Sequence, residues 1–202
     1  MKQYLESSKY IDWQHPSILS KANELANKTQ KKEDKEEIAK NCFLFVRDEI
    51  KHSWDYQLNP VTCKASDVLK YKTGYCYAKS HLLAALLRAN NIPTGLCYQR
   101  LTIDDDQPPF CLHGLNGIFL EDYGWYRVDA RGNKQNVNTD FCPPIEKLAY
   151  PIITKGEADL PEIWSQPLAI IIEALECNNN YLDVANNLPD IQLIVKDKDS
   201  TN

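Results

Sequence analysis

The chain has 202 residues, of which 43% are apolar and 25% charged, with a formal net charge of −5. That length suits one domain with a real core, and the composition is that of an ordinary soluble globular protein. The acidic balance argues against nucleic acid or an anionic membrane as the main partner.

The opening stretch "MKQYLESSKYIDWQH" lacks the apolar core of a secretory signal. Pro16 and Ser17 open a first helix, with Ile18, Leu19, Ala22, Leu25 and Ala26 on one side. The mixed run "KTQKKEDKEE" reads as a solvated face or loop. A second helix carries Ile38, Cys42, Phe45, Val46 and Ile50 and ends near His52. "HSWDYQLNP" reads as a short extended piece stopped by Pro60. Ser66 is placed to cap a short helix over "DVLKY", and Gly74 supplies a turn. A Leu- and Ala-rich helix runs from about Cys76 to Ala89, ended by "NNIPTG" with Asn at its C-cap.

The pattern then changes. "LCYQRLTI", "FCLHGLNGIFL" and "WYRVDA" read as strands, joined by the loop "DDDQPP" and the turn "EDYG". The remainder is irregular and proline-rich, with one apolar run, "LAIIIEALE". That run is far short of the ~18 apolar residues of a membrane span. The expectation is an α+β fold, a single domain over residues 1–194, a frayed tail over 195–202, and a cytoplasmic location. Seven cysteines, Cys42, Cys63, Cys76, Cys97, Cys111, Cys142 and Cys177, make an odd count without an export signal. They point to reduced, mostly buried thiols rather than a disulfide framework. With no CxxC pair, no zinc site is expected.

Thiolate chemistry needs a cysteine in an anion-favouring place, a histidine to pair with it, and a group that orients the histidine. Cys76 falls where the free N–H groups and dipole of a helix start favour an anion. His113 lies within the second strand and Asp129 near the end of the third. A hairpin turning at 121–124 would set them about three residues out of register, an offset that a bulge or bend could shrink. Asp129 has competing partners in Arg127, Arg131 and Lys134. His81, five residues after Cys76, would sit about 140° around the same helix and is disfavoured as the base. Cys111 and His113 form a C-x-H pair with no further metal ligands, and His52 and His15 read as structural or exposed.

The pieces "ASDVLKYKTGYCYAKSHLLAALLRANNIPTG", "LHGLNGIFL" and "GWYRVDARGNK" together resemble the transglutaminase-like superfamily of cysteine enzymes. The resemblance covers roughly residues 40–135 and maps the family's Cys, His and Asp onto Cys76, His113 and Asp129, separated by 37 and 16 residues. It implies a papain-like layout, with the nucleophile helix packed on an antiparallel sheet. It also implies acyl transfer or hydrolysis at peptide, protein or small amides through a thioester, with no metal or organic cofactor. Arylamine N-acetyltransferases have similar spacings but approach the nucleophile through Arg-Gly-Gly-x-Cys, where this chain has "KTGYC". They remain the alternative, beside a binding module that keeps the fold without turnover. For the oxyanion, the Cys76 N–H is one donor by position. "HSWDYQ" offers two side chains for the other, Trp54 and, preferred, Gln57.

Overall fold

The computed structural model describes residues 1–29, 34–104 and 107–192. The expected frayed tail lies outside the described residues, as do parts of the "KTQKKEDKEE" run and the "DDDQPP" loop. After a 3-10 turn at Lys2–Leu5 come α1 (Pro16–Ala26), α2 (Lys35–Glu49), β1 (Lys51–His52), α3 (Ser53–Tyr56), α4 (Ala65–Tyr71), β2 (Thr73–Gly74) and α5 (Cys76–Ala89). The second half holds β3 (Thr94–Asp104), β4 (Gln107–Leu120), β5 (Gly124–Val128), β6 (Asp140–Cys142), β7 (Ile145–Lys147), β8 (Ala158–Asp159), α6 (Ala169–Glu176) and α7 (Tyr181–Asn186). The class is α+β, as the order of patterns predicts.

The central element is α5. It contains no β-branched residue and is built from good helix formers. Leu82, Leu83, Leu86 and Leu87 are fully buried, each contributing about 1.5–3 kcal/mol of burial. An all-round buried helix must be enclosed on every side: α1, α2 and α4 cover one side of α5, and β3 and β4 the other. Two of its buried cationic side chains are bound to backbone carbonyls. Arg88 donates to the carbonyls of Thr94, Glu6 and Ser165, tying the helix end to both distant parts of the chain. Lys79 reaches the Ile50 carbonyl and that of Arg47, at the C-terminal end of α2. Burial lowers its pKa to about 7.

The main sheet is antiparallel, in the order β5-β4-β3-β8. Its register sets Gln99 opposite His113 and Asn116 opposite Val128. A separate two-residue parallel pairing joins β1 to β2, with His52 opposite Gly74. This small ladder sets His52 beside the entry to α5.

Three local expectations are corrected. "HSWDYQLNP" is not extended throughout: Ser53–Tyr56 forms α3, ended by Gln57 at φ 52°. The Ser53 hydroxyl bonds that of Thr73 at 3.0 Å, a contact twenty residues away in sequence. Ser66 is not the cap of α4; the helix starts two residues earlier than expected, at Ala65, and the Ser66 hydroxyl and N–H both donate to Asp12. "LAIIIEALE" contains α6, with Ile171, Ala174 and Leu175 buried. Among the described residues no helix is long and apolar enough to cross a membrane.

Candidate active site

Cys76 is the first residue of α5 and 7% exposed. It opens onto a cavity of about 680 Å³ that His113 also lines. Its sulfur accepts the Gly114 N–H at 3.4 Å, from the part of β4 that lies beyond the last β5 pair. This approach requires a glycine, because a Cβ at 114 would come within 2.9 Å of the Tyr77 ring and 3.2 Å of its Cα. Gly114→Ala should push α5 away from β4 and cost about 1–3 kcal/mol, the range for overpacking. Alkylation of Cys76 should slow in the folded variant; a variant of wild-type stability and reactivity would refute the close-approach argument.

His113 joins the thiol to the carboxylate. Its Nε2 lies 2.7 Å from Asp129 Oδ2, and the Cys76 sulfur lies near enough to the ring to favour its charged form. The strand register explains the reach. Continued beyond Asn116↔Val128, the ladder would put Arg131 opposite His113, so Asp129 sits two positions away on the same face. The offset is thus two residues rather than the three expected, and no bulge in β5 is needed to close it. Burial opposes charge on His113, but the Asp129 carboxylate and the Cys76 sulfur outweigh it and raise the pKa to about 10.

Asp129 is fully buried just past β5. It accepts the N–H groups of Arg131 and Ala149, each at 3.0 Å. Burial works against its ionisation, yet the His113 charge and these bonds hold its pKa below the usual range. The competing cations are engaged elsewhere: Arg127 pairs with Glu146 and Asp159, while Arg131 and Lys134 converge on Asp55. Asp129 is therefore left to pair with the His113 ring. Tyr150 packs edge-on against the His113 ring at 5.2 Å.

The other candidates lie apart from these three residues. His81 is buried with Nδ1 2.8 Å from the Cys63 carbonyl oxygen; burial lowers its pKa to about 4. Trp54 is 46% exposed at the cavity rim, its ring against that of Tyr181. Gln57 does not line the cavity of Cys76; it faces a neighbouring one. Burial pushes the thiols of Cys42, Cys63, Cys97 and Cys111 up to about 12, whereas Cys177 is exposed. Among the described residues no cluster of three or more His, Cys, Asp or Glu could hold a metal ion.

Reading the sequence alone misses several lining groups. Tyr150 comes from a loop, and Ala185 and Leu188 from the far end of the described chain. Leu112 donates its N–H to Pro189 at 2.7 Å, so this distant segment covers the β4 edge beside His113. His52, read as structural or exposed, is buried and lines the cavity.

A family model described as "Transglutaminase-like superfamily" matches residues 23–130, more than half of the chain. The chain belongs to this superfamily. Solved structures similar to it include a candidate cysteine protease from Cytophaga hutchinsonii, at 18% identity and TM-score 0.48 over 63% of this chain and 40% of that one. The periplasmic domain of TgpA from Pseudomonas aeruginosa follows at 16% identity and TM-score 0.46, over 63% and 45% of the two chains. Red sea bream transglutaminase gives 13% identity and TM-score 0.44, over 59% and 27%. The chain spans less than half the length of each of these. No curated protein matches the sequence. The match of the superfamily model takes in Cys76, His113 and Asp129.

Proposed function

We propose that this chain is a cysteine-dependent enzyme that cleaves or transfers the acyl group of amides in peptides or proteins. The observation that supports the reading best is the buried His113 ring, hydrogen-bonded to Asp129 and lining one cavity with Cys76, whose sulfur favours its charged form. Superfamily membership supports the general class, a thiol-dependent enzyme acting on amides.

The Cys76 thiolate attacks the amide carbonyl carbon, forming a C–S bond while the carbonyl π pair moves to oxygen. Collapse of this centre breaks the C–N bond, and His113 gives its proton to the leaving amine. Water then attacks the thioester, passing a proton to His113. The C–S bond breaks and the thiolate returns. Asp129 holds the ring in line and stabilises the imidazolium. Leu101, Leu112, Ile153 and Leu188 give the cavity an apolar lining suited to peptide side chains.

Water is expected to outrun amines as the acceptor, because the cavity rim is open at the exposed residues Trp54 and Ile153. The test is incubation with casein, with and without a primary amine, and mass spectrometry for cleaved, deamidated and amine-linked products. Cleavage or deamidation should dominate and vanish in Cys76→Ala. Dominant amine incorporation would overturn the preference for water, and products surviving in Cys76→Ala would overturn the thiol reading.

A further inference from the structure

The oxyanion formed when Cys76 attacks needs donors already in place. The Cys76 N–H, at the start of α5, is one by position. In the structure that N–H is not free: it donates to His52 Nε2 at 3.2 Å. An oxygen approaching the same N–H therefore meets the His52 imidazole first. Trp54 and Gln57, the side chains suggested by the sequence, make no such contact among the described residues.

We propose that His52 is the side-chain oxyanion donor, presenting Nε2–H to the substrate oxygen beside the Cys76 N–H. This rests on the acyl-transfer reading above. Three independent features converge on it. The parallel β1–β2 pairing sets His52 opposite Gly74, two residues before the nucleophile, so its position is fixed by backbone and not by a mobile loop. The ring is braced edge-on by Tyr75 at 5.4 Å and lines the cavity together with Cys76 and His113. Its Nδ1 is buried without a hydrogen-bond partner; the Asp55 carboxylate, at 3.8 Å, is beyond hydrogen-bond reach.

That orphaned nitrogen gives the ring two usable states. With the proton on Nδ1, Nε2 accepts from the Cys76 N–H and holds the place of the substrate oxygen. With the proton on Nε2, the ring turns off that N–H and donates to the oxygen that replaces it. Nδ1 has no partner in either state, so the Cys76 N–H alone sets the resting tautomer, and an incoming oxygen that takes that N–H releases it. Both states are neutral, and the surroundings favour neutrality: burial opposes charge, as do the cations Arg131, Lys79 and His113, with only Asp55 pulling the other way. A neutral imidazole can polarise a carbonyl oxygen without first losing a proton to it.

The test compares wild type with His52→Ala and His52→Gln in two reactions of the same thiol. Acylation by p-nitrophenyl acetate passes through an oxyanion; alkylation by iodoacetamide does not. Loss of one oxyanion donor costs about 10²–10³ in rate. His52→Ala should therefore acylate about 10²-fold more slowly and alkylate within about threefold of wild type. His52→Gln, which keeps an N–H donor, should recover part of the acylation rate. Unchanged or faster acylation in His52→Ala would show that the ring only plugs the site, and a parallel fall in both reactions would make it a positioning residue; either overturns the assignment. If the wild-type thiol alkylates but does not acylate, the acyl-transfer reading fails along with it.

Discussion

His113→Ala is expected to lower turnover on an amide substrate by about 10³-fold or more, the upper range for loss of a general acid–base group. The ring bonds Asp129, and the Cys76 sulfur lies near enough to favour its charged form. Its loss removes the cation that stabilises the thiolate as well as the proton donor for the leaving amine. Alkylation of Cys76 at pH 6, followed by peptide mass spectrometry, should therefore slow at least tenfold in the variant. His81→Ala is the control, since that ring bonds the Cys63 carbonyl and not the thiol. Equal loss of turnover in both variants, with folding intact by circular dichroism, would remove His113 from the base role.

Asp129→Asn should cost about 10²–10³ in turnover, less than the ~10⁴ of the serine-protease case, because a thiolate depends less on this group. It should also change how stability follows pH. The His113 pKa is raised to about 10, so its stabilisation is whole below the ~6.5 of an unfolded histidine and is lost as pH climbs through 10. The Asp129 pKa is lowered, so its stabilisation is whole above the ~3.9 of an unfolded aspartate and is lost as pH falls below that. The pair thus favours a melting temperature that is highest between about pH 4 and 6.5 and declines toward pH 10. In Asp129→Asn the alkaline decline should flatten. An identical decline in both proteins, or unchanged turnover, would move Asp129 to a purely architectural role.

What the sequence made legible was local. The helix from Cys76 to Ala89 is a run of Leu and Ala, and the strand around His113 an apolar run bounded by turn residues; both formed as read. The His113–Asp129 pairing was one residue off in register, because the turn sets its own offset. Groups brought in over long distances were not legible. A two-residue ladder such as β1–β2 has no period to detect, so His52 looked like any other histidine. The same holds for Tyr150 and for the segment at Leu188–Pro189, whose neighbours are chosen by tertiary packing alone.

The silenced thiols have a practical consequence. Cys42 lies on the α2 face against the core, Cys63 just before α4, and Cys97 within β3. Folded, they are shielded from alkylating reagents by burial and by their raised pKa values of about 12. Once the chain opens they become ordinary thiols. The protein thus carries its own denaturation gauge, spread over three separate regions. In one alkylation experiment, mass increments on Cys76 report the chemistry, Cys177 gives the exposed baseline, and Cys42, Cys63 and Cys97 report how much of the sample has come undone and which region opened first.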